Sequence, residues 1–591
     1  MTSRSTGWIQ DPGRLENLIK VVELFDHNSQ THLDLLRNLI PQKVLPQDGR
    51  QTFINQLRSR NGYNNNYPKI GYKYLVGTAF TPRSSARCNG IVQTLIPGQR
   101  RPFISDWPAN NFIRWAETLG LIQYYPVDDA YSITSFGLRL TQVNNISSKF
   151  NVLKEGLLQY PPVTRILELL CIEYDRTPHN PLLTKFELGK ELGFRGEDGF
   201  TTYPQHLVVQ AIATNSGQRN RILTNWEGSS DKYARMICGW LMHQRIGWVE
   251  KSAKTVPVNI AGRVFTTNIP QSYKITIEGI NAFRESRARS RHQQVPKRVF
   301  FEMLATKGTD KSYLRTRRAL TIQCLKSWRT LQQIQTHLKN DRLSNIPINV
   351  IQDDITNFKR IGLNVLSNKQ NKFRIADNII NLRIPTLATP QLVPSYITQT
   401  KLRLSGLINY IDHSYFDLID LGFDGRQNKL YELRIVELLN LINSLKALHL
   451  SGGNRPEIIA YSPDVNPNNG VIMDSKSYRG GFNIPNPERD KMIRYINEYN
   501  QKNPTLNSNR WWENFRAPDY PQNLLKYSFV SGNFIGQFLS QIQYILTQTG
   551  INGGAITSEK LIEKANAVLN PNISYTINNL FNDLGCNRLV Q

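Results

Sequence analysis

Two acidic residues and a lysine in the last third of the chain are spaced so that they could act together. Glu457 precedes the apolar run Ile458–Tyr461, and Asp474-Ser475-Lys476 follows the apolar run Val471–Met473. Residues 466–470 are Asn-Pro-Asn-Asn-Gly, which are turn formers, so the two runs are predicted to be strands of one hairpin. That hairpin would bring the carboxylates of Glu457 and Asp474 together at one end.

This set of residues suits hydrolysis of a phosphate ester. Two carboxylates are ligands that Mg²⁺ accepts while it keeps waters and binds phosphate oxygens, and the metal would activate a water for in-line displacement at phosphorus. Lys476, on the same strand face as Asp474, can hold that water and offset phosphate charge. The spacing alone leaves a second interpretation open, because acid-x-Lys triplets recur by chance and a carboxylate at a strand end is usually solvated or caps a helix.

The segments around this hairpin predict a C-terminal α/β domain that begins near Gln391. Residues 382–394 contain three prolines and indicate an extended connector. Strands that alternate with helices favour an α/β fold. The predicted helices are 401–412, 431–445, 488–499 and 537–548, and a further strand is 525–530.

The preceding part of the chain contains a weak repeat. Three helical stretches end in a Leu-Gly or Ile-Gly step that leads into β-type residues, at Gly120, Gly247 and Gly362. Each glycine is a predicted helix C-cap. In the first two copies, a second strand closes with Ile-Thr-x-x-Gly, at 133–137 and 275–279. Helices followed by a small hairpin predict winged-helix (helix-turn-helix) units that are mainly α-helical.

The second copy carries the clearest helix-turn-helix pattern. Residues 183–194 have a Thr N-cap, an apolar stripe and a terminal glycine, and residues 229–236 begin another helix with strong capping residues. Lys232 and Arg235 lie three residues apart in its first turns, where a recognition helix carries base-reading side chains. The third copy, 315–340, is rich in Arg and Lys but less complete, so it is predicted to be a linker or a regulatory module.

Composition places nucleic acid first among the partners. The 591 residues carry a formal charge of +26, which favours a polyanionic partner over a merely soluble basic protein. The first 13 residues do not predict a secretory signal, and the sequence has no apolar run long enough for a membrane span. Five scattered cysteines without a Cys-x-x-Cys pair argue against disulfides and zinc. The sequence has no G-x-x-x-x-G-K-[ST] motif, so ATP is not expected.

From Gly7 to about Gly554 the sequence resembles the FokI-type Type IIS restriction endonucleases. The stretches that carry the resemblance are Leu75–Thr78, Asn225–Met236, Pro296–Val299, Glu302–Thr306, Arg315–Leu320, Asp490–Tyr495, Trp511-Trp512 and Val530–Gly532. The resemblance implies a three-part recognition region and a PD-(D/E)xK nuclease domain. It also implies Mg²⁺ as cofactor and cleavage of double-stranded DNA downstream of the recognition site by a transient homodimer.

Site residues follow from this resemblance position by position. Glu457, Asp474 and Lys476 are the implied catalytic residues, and Glu457, Asp474 and Ser475 the implied metal site. Asp490 and Arg494 are implied to reach across the dimer. The implied DNA-binding residues are Gln10, Asp11, Arg83, Trp107, Thr224, Trp226, Glu227, Lys232 and Arg235. Tryptophans of this region are also candidates for the core, and for Trp8 we expect that outcome.

Several positions depart from the family pattern. Glu457 stands where the family has Asp, Ile458 replaces a glycine, and Ser475 replaces Thr. In the recognition region, Thr224 and Asp11 stand for Asn, and Ser85 for Glu. The departures at Glu457 and Ile458 leave open an alternative function, a sequence-specific DNA-binding protein with a slowed or inactive nuclease domain.

The sequence therefore predicts four parts, with residues 1–150 and 151–293 as recognition subdomains, 294–385 as a third winged-helix-like unit with a linker, and 386–591 as the nuclease domain. The resemblance implies a Type IIS endonuclease that cuts downstream of a short asymmetric GGATG-like site. We expect it in the bacterial cytoplasm, with no membrane partner and, by analogy, a companion DNA methyltransferase.

Overall fold

The computed structural model describes residues 7–10, 13–260, 263–287, 294–341, 343, 346–384, 394–450, 452–463, 469–515 and 524–590. Within these ranges no helix is long and apolar enough to cross a membrane. Three small helical units with short sheets come first, and a domain around a five-stranded sheet follows.

The first unit is mainly helical. Its helices are Leu15–Glu23, Gln30–Asp34, Ile40–Lys43, Arg50–Arg58, Tyr72–Val76, Ile91–Leu95, Asp106–Thr118, Ser135–Gln142 and Ile146–Gln159, and its strands are Ile70–Gly71, Ile122–Tyr125 and Ala130–Ile133. The strand Ala130–Ile133 pairs antiparallel with both others. Trp8 is 1% exposed and its indole N–H donates to the Met303 carbonyl at 3.1 Å, so the expectation that it is a core residue is confirmed.

The second unit repeats this plan with a longer hairpin. Its helices are Pro161–Arg176, Lys185–Lys190, Gln205–Thr214, Arg219–Asn225, Ser229–Leu241 (the Ser229 helix) and Ile277–Ser286, and its strands are Leu183–Thr184, Val249–Ile260 and Arg263–Ile275. Thr184 caps the Lys185–Lys190 helix and shares a capping box with Glu187. At the start of the Ser229 helix, the Asp231 side chain accepts from Gly228 N–H at 2.8 Å. The capping residues therefore begin helices where the sequence predicts them.

A left-handed glycine and two hydrogen bonds of a threonine hydroxyl close the hairpin of both units in the same way. Gly120 and Gly247 have φ of +76° and +68°, a conformation that glycine adopts without strain. Thr134 donates its hydroxyl to the Gly120 carbonyl and Thr276 to the Gly247 carbonyl, both at 2.7 Å. Each threonine hydroxyl also accepts the N–H three residues later, at 3.0 Å. The first two copies of the predicted repeat are therefore confirmed at the level of hydrogen bonds.

The third unit uses its basic residues internally. Its helices are Lys311–Cys324, Leu331–Asn340 and Ile348–Arg360, and its strands are Lys297–Arg298, Val365–Ser367, Phe373–Ile375 and Ile379–Ile380. Arg317 and Arg318 are buried, and both donate to Asp354, Arg317 at 2.7 and 2.9 Å and Arg318 at 3.1 Å. These two arginines hold two helices of the unit together through Asp354.

The C-terminal domain is built on one mixed sheet. Its strands, in sheet order, are Lys446–His449, Ile458–Tyr461, Gly470–Lys476, Leu525–Ser531 and Gly553–Thr557. The first three are antiparallel and the last three parallel. Its helices are Tyr396–Leu407, Asp417–Asp424, Asn428–Leu439, Asn486–Gln501 (the Asn486 helix), Phe538–Thr549, Ser558–Leu569 and Ile577–Leu584.

Period-two alternation divides this sheet between two cores. Ile458 and Met473 pack in one core with helices such as Asn428–Leu439, whereas Ile459 and Ile472 pack in the other. That second core includes Met492 and Ile496 of the Asn486 helix. Because side chains two residues apart share a face, Glu457, Asp474 and Lys476 lie on the face that the Asn486 helix covers.

Two helix predictions in this domain are wrong at their ends. The helix predicted at 401–412 spans Tyr396–Leu407, since Ser395 at its start is held by hydrogen bonds from its N–H and hydroxyl to Asp310. The helix predicted at 431–445 spans Asn428–Leu439, because the Asn440 side chain exchanges two hydrogen bonds with the Ala447 backbone and turns the chain into a strand. Residues 385–393 of the predicted connector lie outside the described residues.

Candidate functional site

The predicted hairpin is confirmed, and it brings the two acids and the lysine together. Ile458 pairs with Met473, which sets Glu457 beside Asp474 at one end. Lys476 Nζ lies 2.7 Å from Glu457 Oε1 and 2.7 Å from Asp474 Oδ1. Ser475 donates its N–H and its hydroxyl to Glu457 Oε2, at 2.8 and 3.0 Å. All four side chains therefore form one hydrogen-bonded group.

The pKa values of the two carboxyl groups are shifted in opposite directions. Burial raises the pKa of Glu457, but Lys476 and the hydrogen bonds from its neighbours outweigh burial, so that this pKa falls to about 2. Burial and the adjacent Glu457 charge raise the pKa of Asp474 well above its ordinary value. The Asp474 side chain is 2% exposed. The site therefore holds two acids of like charge in close contact, with Lys476 between them.

Two further charged residues of this site were missed at the sequence level. Glu488 Oε2 lies 3.5 Å from Lys476 Nζ, and Lys491 Nζ lies 3.7 Å from Asp474 Oδ2. Both residues belong to the Asn486 helix, and they also pair with each other at 3.4 Å. Their spacing of three residues was the only available signal, and such a spacing usually marks an exposed surface pair.

The donor set of this site fits a hard divalent cation. Among the residues that the structure describes, no three or more His, Cys, Asp or Glu are grouped as a metal site. Mg²⁺, however, is commonly held by one or two carboxylates together with waters and substrate phosphates. Glu457 and Asp474 supply those two carboxylates, and their mutual repulsion is what a divalent cation relieves. Ser475 contacts Glu457 through its N–H and hydroxyl.

The implied dimer pair lies on the outer side of the Asn486 helix. The Asp490 side chain is 59% exposed and bonds to Arg489 at 2.7 Å. The Arg494 side chain is 47% exposed and lies 3.5 Å from Glu498. Asp490, Arg494 and the exposed Leu506 line a groove of about 370 Å³. The structure thus keeps both residues available to a partner on one face.

In the second unit, Glu227 and Arg235 are bonded to each other. Glu227 accepts from Arg235 Nε and Nη2 at 2.8 and 3.1 Å, and from Lys185 Nζ at 2.9 Å. The Lys185 side chain is 1% exposed and that of Glu227 6%, whereas that of Arg235 is 38% exposed. Of these three residues, Arg235 therefore offers the most surface to a ligand, and Glu227 fixes its direction.

Two other implied DNA-binding residues, Gln10 and Lys232, line a cleft of about 1060 Å³. Lys232 lies on the Ser229 helix and is exposed. Arg426 of the C-terminal domain lines the same cleft. Thr224 is exposed. Trp226 is half-buried, stacked on Tyr203 at 6.1 Å. Asp11 lies outside the described residues.

Two other implied DNA-binding residues of the first unit, Arg83 and Trp107, are at its surface. Trp107 is 48% exposed in the first turn of its helix, and its indole is therefore not part of the core. Arg83 is exposed beside Pro82, and its carbonyl accepts from Arg101 at 2.7 Å. Both side chains are accessible to a ligand.

Four family models match consecutive parts of the chain. The model described as FokI, recognition domain, subdomain 1 matches residues 4–143, and the model for subdomain 2 matches residues 175–284. The model described as FokI, D3 domain matches residues 304–370, and the model described as FokI, cleavage domain matches residues 395–591. The hairpin that carries Glu457 and Asp474 lies within the last match, as does the Asn486 helix.

Whole proteins match over nearly the entire chain. Type II restriction enzyme FokI of Planomicrobium okeanokoites is 35% identical, across 95% of this chain and 94% of its own. Type II restriction enzyme StsI of Streptococcus sanguinis is 28% identical, across 93% and 90%. The solved structures of restriction endonuclease FokI, alone and bound to DNA, are both 32% identical with full coverage and give TM-scores of 0.88 and 0.90. The chain therefore belongs to the FokI family of Type IIS restriction endonucleases, and it is a site-specific endonuclease.

Proposed function

We propose that the protein binds a short asymmetric GGATG-like site in double-stranded DNA and hydrolyses phosphodiester bonds downstream of it in a Mg²⁺-dependent reaction. The observation that carries this proposal is the convergence of Glu457, Asp474 and Lys476 at one end of a hairpin, within 2.7 Å contacts. Reading is assigned to residues 1–150 and 151–293, and cutting to residues 386–591. Residues 294–385 join the two.

Glu457, Asp474 and Ser475 would hold the metal. When bound there, Mg²⁺ supplies a water of lowered pKa and stabilises the charge that develops at phosphorus. Ser475 orients Glu457 by two hydrogen bonds, so this longer acid is fixed before substrate arrives. Lys476 donates to the attacking water and offsets phosphate charge. The water oxygen bonds to phosphorus as the bond to the leaving oxygen on the opposite side breaks.

DNA reading is assigned to side chains of the first two units. Lys232 and Arg235, in the first turns of the Ser229 helix, are proposed to donate to guanine N7 and O6, the commonest specific contact. Glu227 orients Arg235 for that contact. The other proposed DNA-contacting residues are Gln10, Asp11, Arg83, Trp107, Thr224 and Trp226.

Double-strand cleavage is proposed to need a transient homodimer through the C-terminal domain. Asp490 and Arg494 lie four residues apart on the exposed side of one helix. Around a two-fold axis, the acid of each copy meets the base of the other. As the function implies, we place the enzyme in the bacterial cytoplasm beside a methyltransferase that protects the host DNA, without ATP or a membrane partner.

The test is incubation of the purified protein with plasmid DNA and Mg²⁺, followed by sequencing of the ends. We expect cuts at a constant offset from one short motif. Lys476→Ala should abolish cutting while specific DNA binding stays within a few-fold, because reading and cutting reside in separate domains. Specific binding without cutting by the wild type would favour the alternative of a DNA-binding protein with a slowed or inactive nuclease, which Glu457 and Ile458 suggest. Loss of binding in Lys476→Ala would contradict the separation of domains.

A further inference from the structure

We propose that Glu488 and Lys491 are positioning residues of the catalytic centre, in which Glu488 holds Lys476 in place and Lys491 neutralises Asp474 until metal binds. This inference rests on the proposed Mg²⁺-dependent function. It adds to the hairpin a second element, the Asn486 helix, and assigns a role to two charges that lie outside the acid-x-Lys pattern.

The sheet geometry brings this helix to the reacting groups. Glu457, Asp474 and Lys476 alternate with residues of the opposite core and therefore share the face covered by the Asn486 helix. The helix is fixed there by its core residues, and the Tyr495 hydroxyl donates to the Arg455 carbonyl at 2.7 Å, two residues before Glu457. The first turns of the helix therefore lie beside Glu457 and Asp474.

The contacts form one connected group of charges. Lys476 Nζ touches Glu457 and Asp474 at 2.7 Å and lies 3.5 Å from Glu488 Oε2. Lys491 Nζ lies 3.7 Å from Asp474 Oδ2 and 3.4 Å from Glu488 Oε2. Side chains of Glu488 and Lys491 are only 24% and 30% exposed. A pair in open water would be screened, whereas this one is partly shielded and shares its partners with the proposed metal ligands.

Opposite effects on metal binding follow from the two charges. Glu488 places a negative charge 3.5 Å from Lys476 and so offsets part of the positive charge that competes with a cation for Glu457 and Asp474, and its loss should weaken Mg²⁺ binding. Lys491 competes with a cation for Asp474, so its loss should strengthen Mg²⁺ binding. Partners of metal ligands commonly change affinity or activity by about 10- to 100-fold when they are removed.

The helix has separate faces for this role and for assembly. Helical spacing puts Glu488, Lys491 and Tyr495 on the side toward the sheet. The outer groove is lined by Asp490 and Arg494 of the helix and by Leu506, which follows it in the chain. A substitution at Glu488 or Lys491 therefore tests the catalytic centre without altering the residues proposed to meet a second copy.

The experiment compares Glu488→Gln and Lys491→Gln with wild type in the full chain. Mg²⁺ is titrated into DNA-free protein and its half-saturation is read from the rise in thermal unfolding temperature. We expect half-saturation about tenfold higher for Glu488→Gln and about tenfold lower for Lys491→Gln. Single-turnover cleavage at saturating Mg²⁺ should slow about 10- to 100-fold for Glu488→Gln, because Lys476 is no longer held.

Two controls keep the result interpretable. Glu513→Gln removes an equally charged acid from an exposed pair in the same domain, with Arg510 at 3.6 Å, and should shift neither readout. Lys491→Arg keeps the charge and should retain the wild-type half-saturation. Unchanged half-saturation in both Gln variants, or shifts in the same direction, would overturn the proposal. A wild type that binds Mg²⁺ but does not cut would refute the proposed function while the opposite shifts still support these roles.

Discussion

Replacing Glu227 by Gln would remove one charge from between two cations while preserving the shape of the side chain. Glu227 accepts from Lys185 at 2.9 Å and from Arg235 at 2.8 and 3.1 Å. The amide of Gln balances neither charge. Because the Lys185 side chain is 1% exposed, the variant keeps a buried ammonium group that has lost its closest anion.

The expected cost is about 3 kcal/mol of unfolding free energy. Removal of one partner from a buried ion pair costs about 3–5 kcal/mol, since the other charge remains buried. The lower end applies because Lys185 keeps its hydrogen bond to the Leu223 carbonyl at 3.0 Å. Arg235 would lose one of the two acceptor oxygens that direct it and the charge beside them, so affinity for the preferred DNA site should also fall, by about 1 kcal/mol or more.

The stability loss should depend on pH in a defined direction. Burial lowers the pKa of Lys185 in the folded protein, and Glu227 opposes that fall. Without Glu227 the folded pKa drops further below the unfolded value, so folding favours the neutral amine. Stability of the variant should therefore recover as pH rises through the folded pKa toward the unfolded one. The deficit relative to wild type should be larger at pH 6 than at pH 9.

Urea unfolding followed by tryptophan fluorescence at both pH values measures these effects, because Trp226 adjoins the site. The matched control is Glu250→Gln in the same unit, where Glu250 and Lys274 form a pair at 2.9 Å with side chains 58% and 42% exposed. Its cost should stay below about 0.5 kcal/mol. If Glu227→Gln is no more destabilising than this control, the buried-charge argument fails.

Three other variants test separate regions of the chain. Asp490→Arg should slow plasmid linearisation about tenfold by like-charge contact across the dimer, and an equimolar mixture with Arg494→Asp should restore it; a mixture no better than either variant would exclude the pairing. Burial raises the pKa of Glu117 to about 8, so native stability falls as pH rises from about 4.5 to 8, and Glu117→Gln should raise the unfolding free energy by about 3 kcal/mol at pH 8 but little at pH 4.5. Lys232→Ala should cost about 1–3 kcal/mol of binding free energy at the preferred site and relax the sequence preference at one base pair in a selection over randomised DNA. A loss of affinity that is equal for all sequences would instead indicate a phosphate contact.

Local patterns predicted the hairpin of Glu457 and Asp474 and the closure of the winged units. Apolar runs on either side of turn residues specify a hairpin, and its pairing sets Glu457 beside Asp474. The glycine caps at Gly120 and Gly247 were visible because a left-handed backbone after a helix strongly favours glycine. These features depend on residues that are neighbours in the sequence, so the sequence alone was enough to predict them.

Contacts between distant segments could not be read in this way. Lys185 lies 42 residues from Glu227, and the sequence does not say which lysine will be buried against that acid. The role proposed for Glu488 and Lys491 depends on the sheet face that their helix covers. Only the packed fold defines that face. The end of the Asn428–Leu439 helix likewise depends on a tertiary contact, the exchange of hydrogen bonds between Asn440 and Ala447.

The shared closure of the two winged units has a consequence for protein engineering. The threonine meets its glycine across 14 residues in the first unit and across 29 in the second, with the same 2.7 Å bond. Chain length between these anchor points therefore changes without disturbing the helices on either side. Loops of new length or sequence grafted between Gly120 and Thr134 should therefore be tolerated by the scaffold.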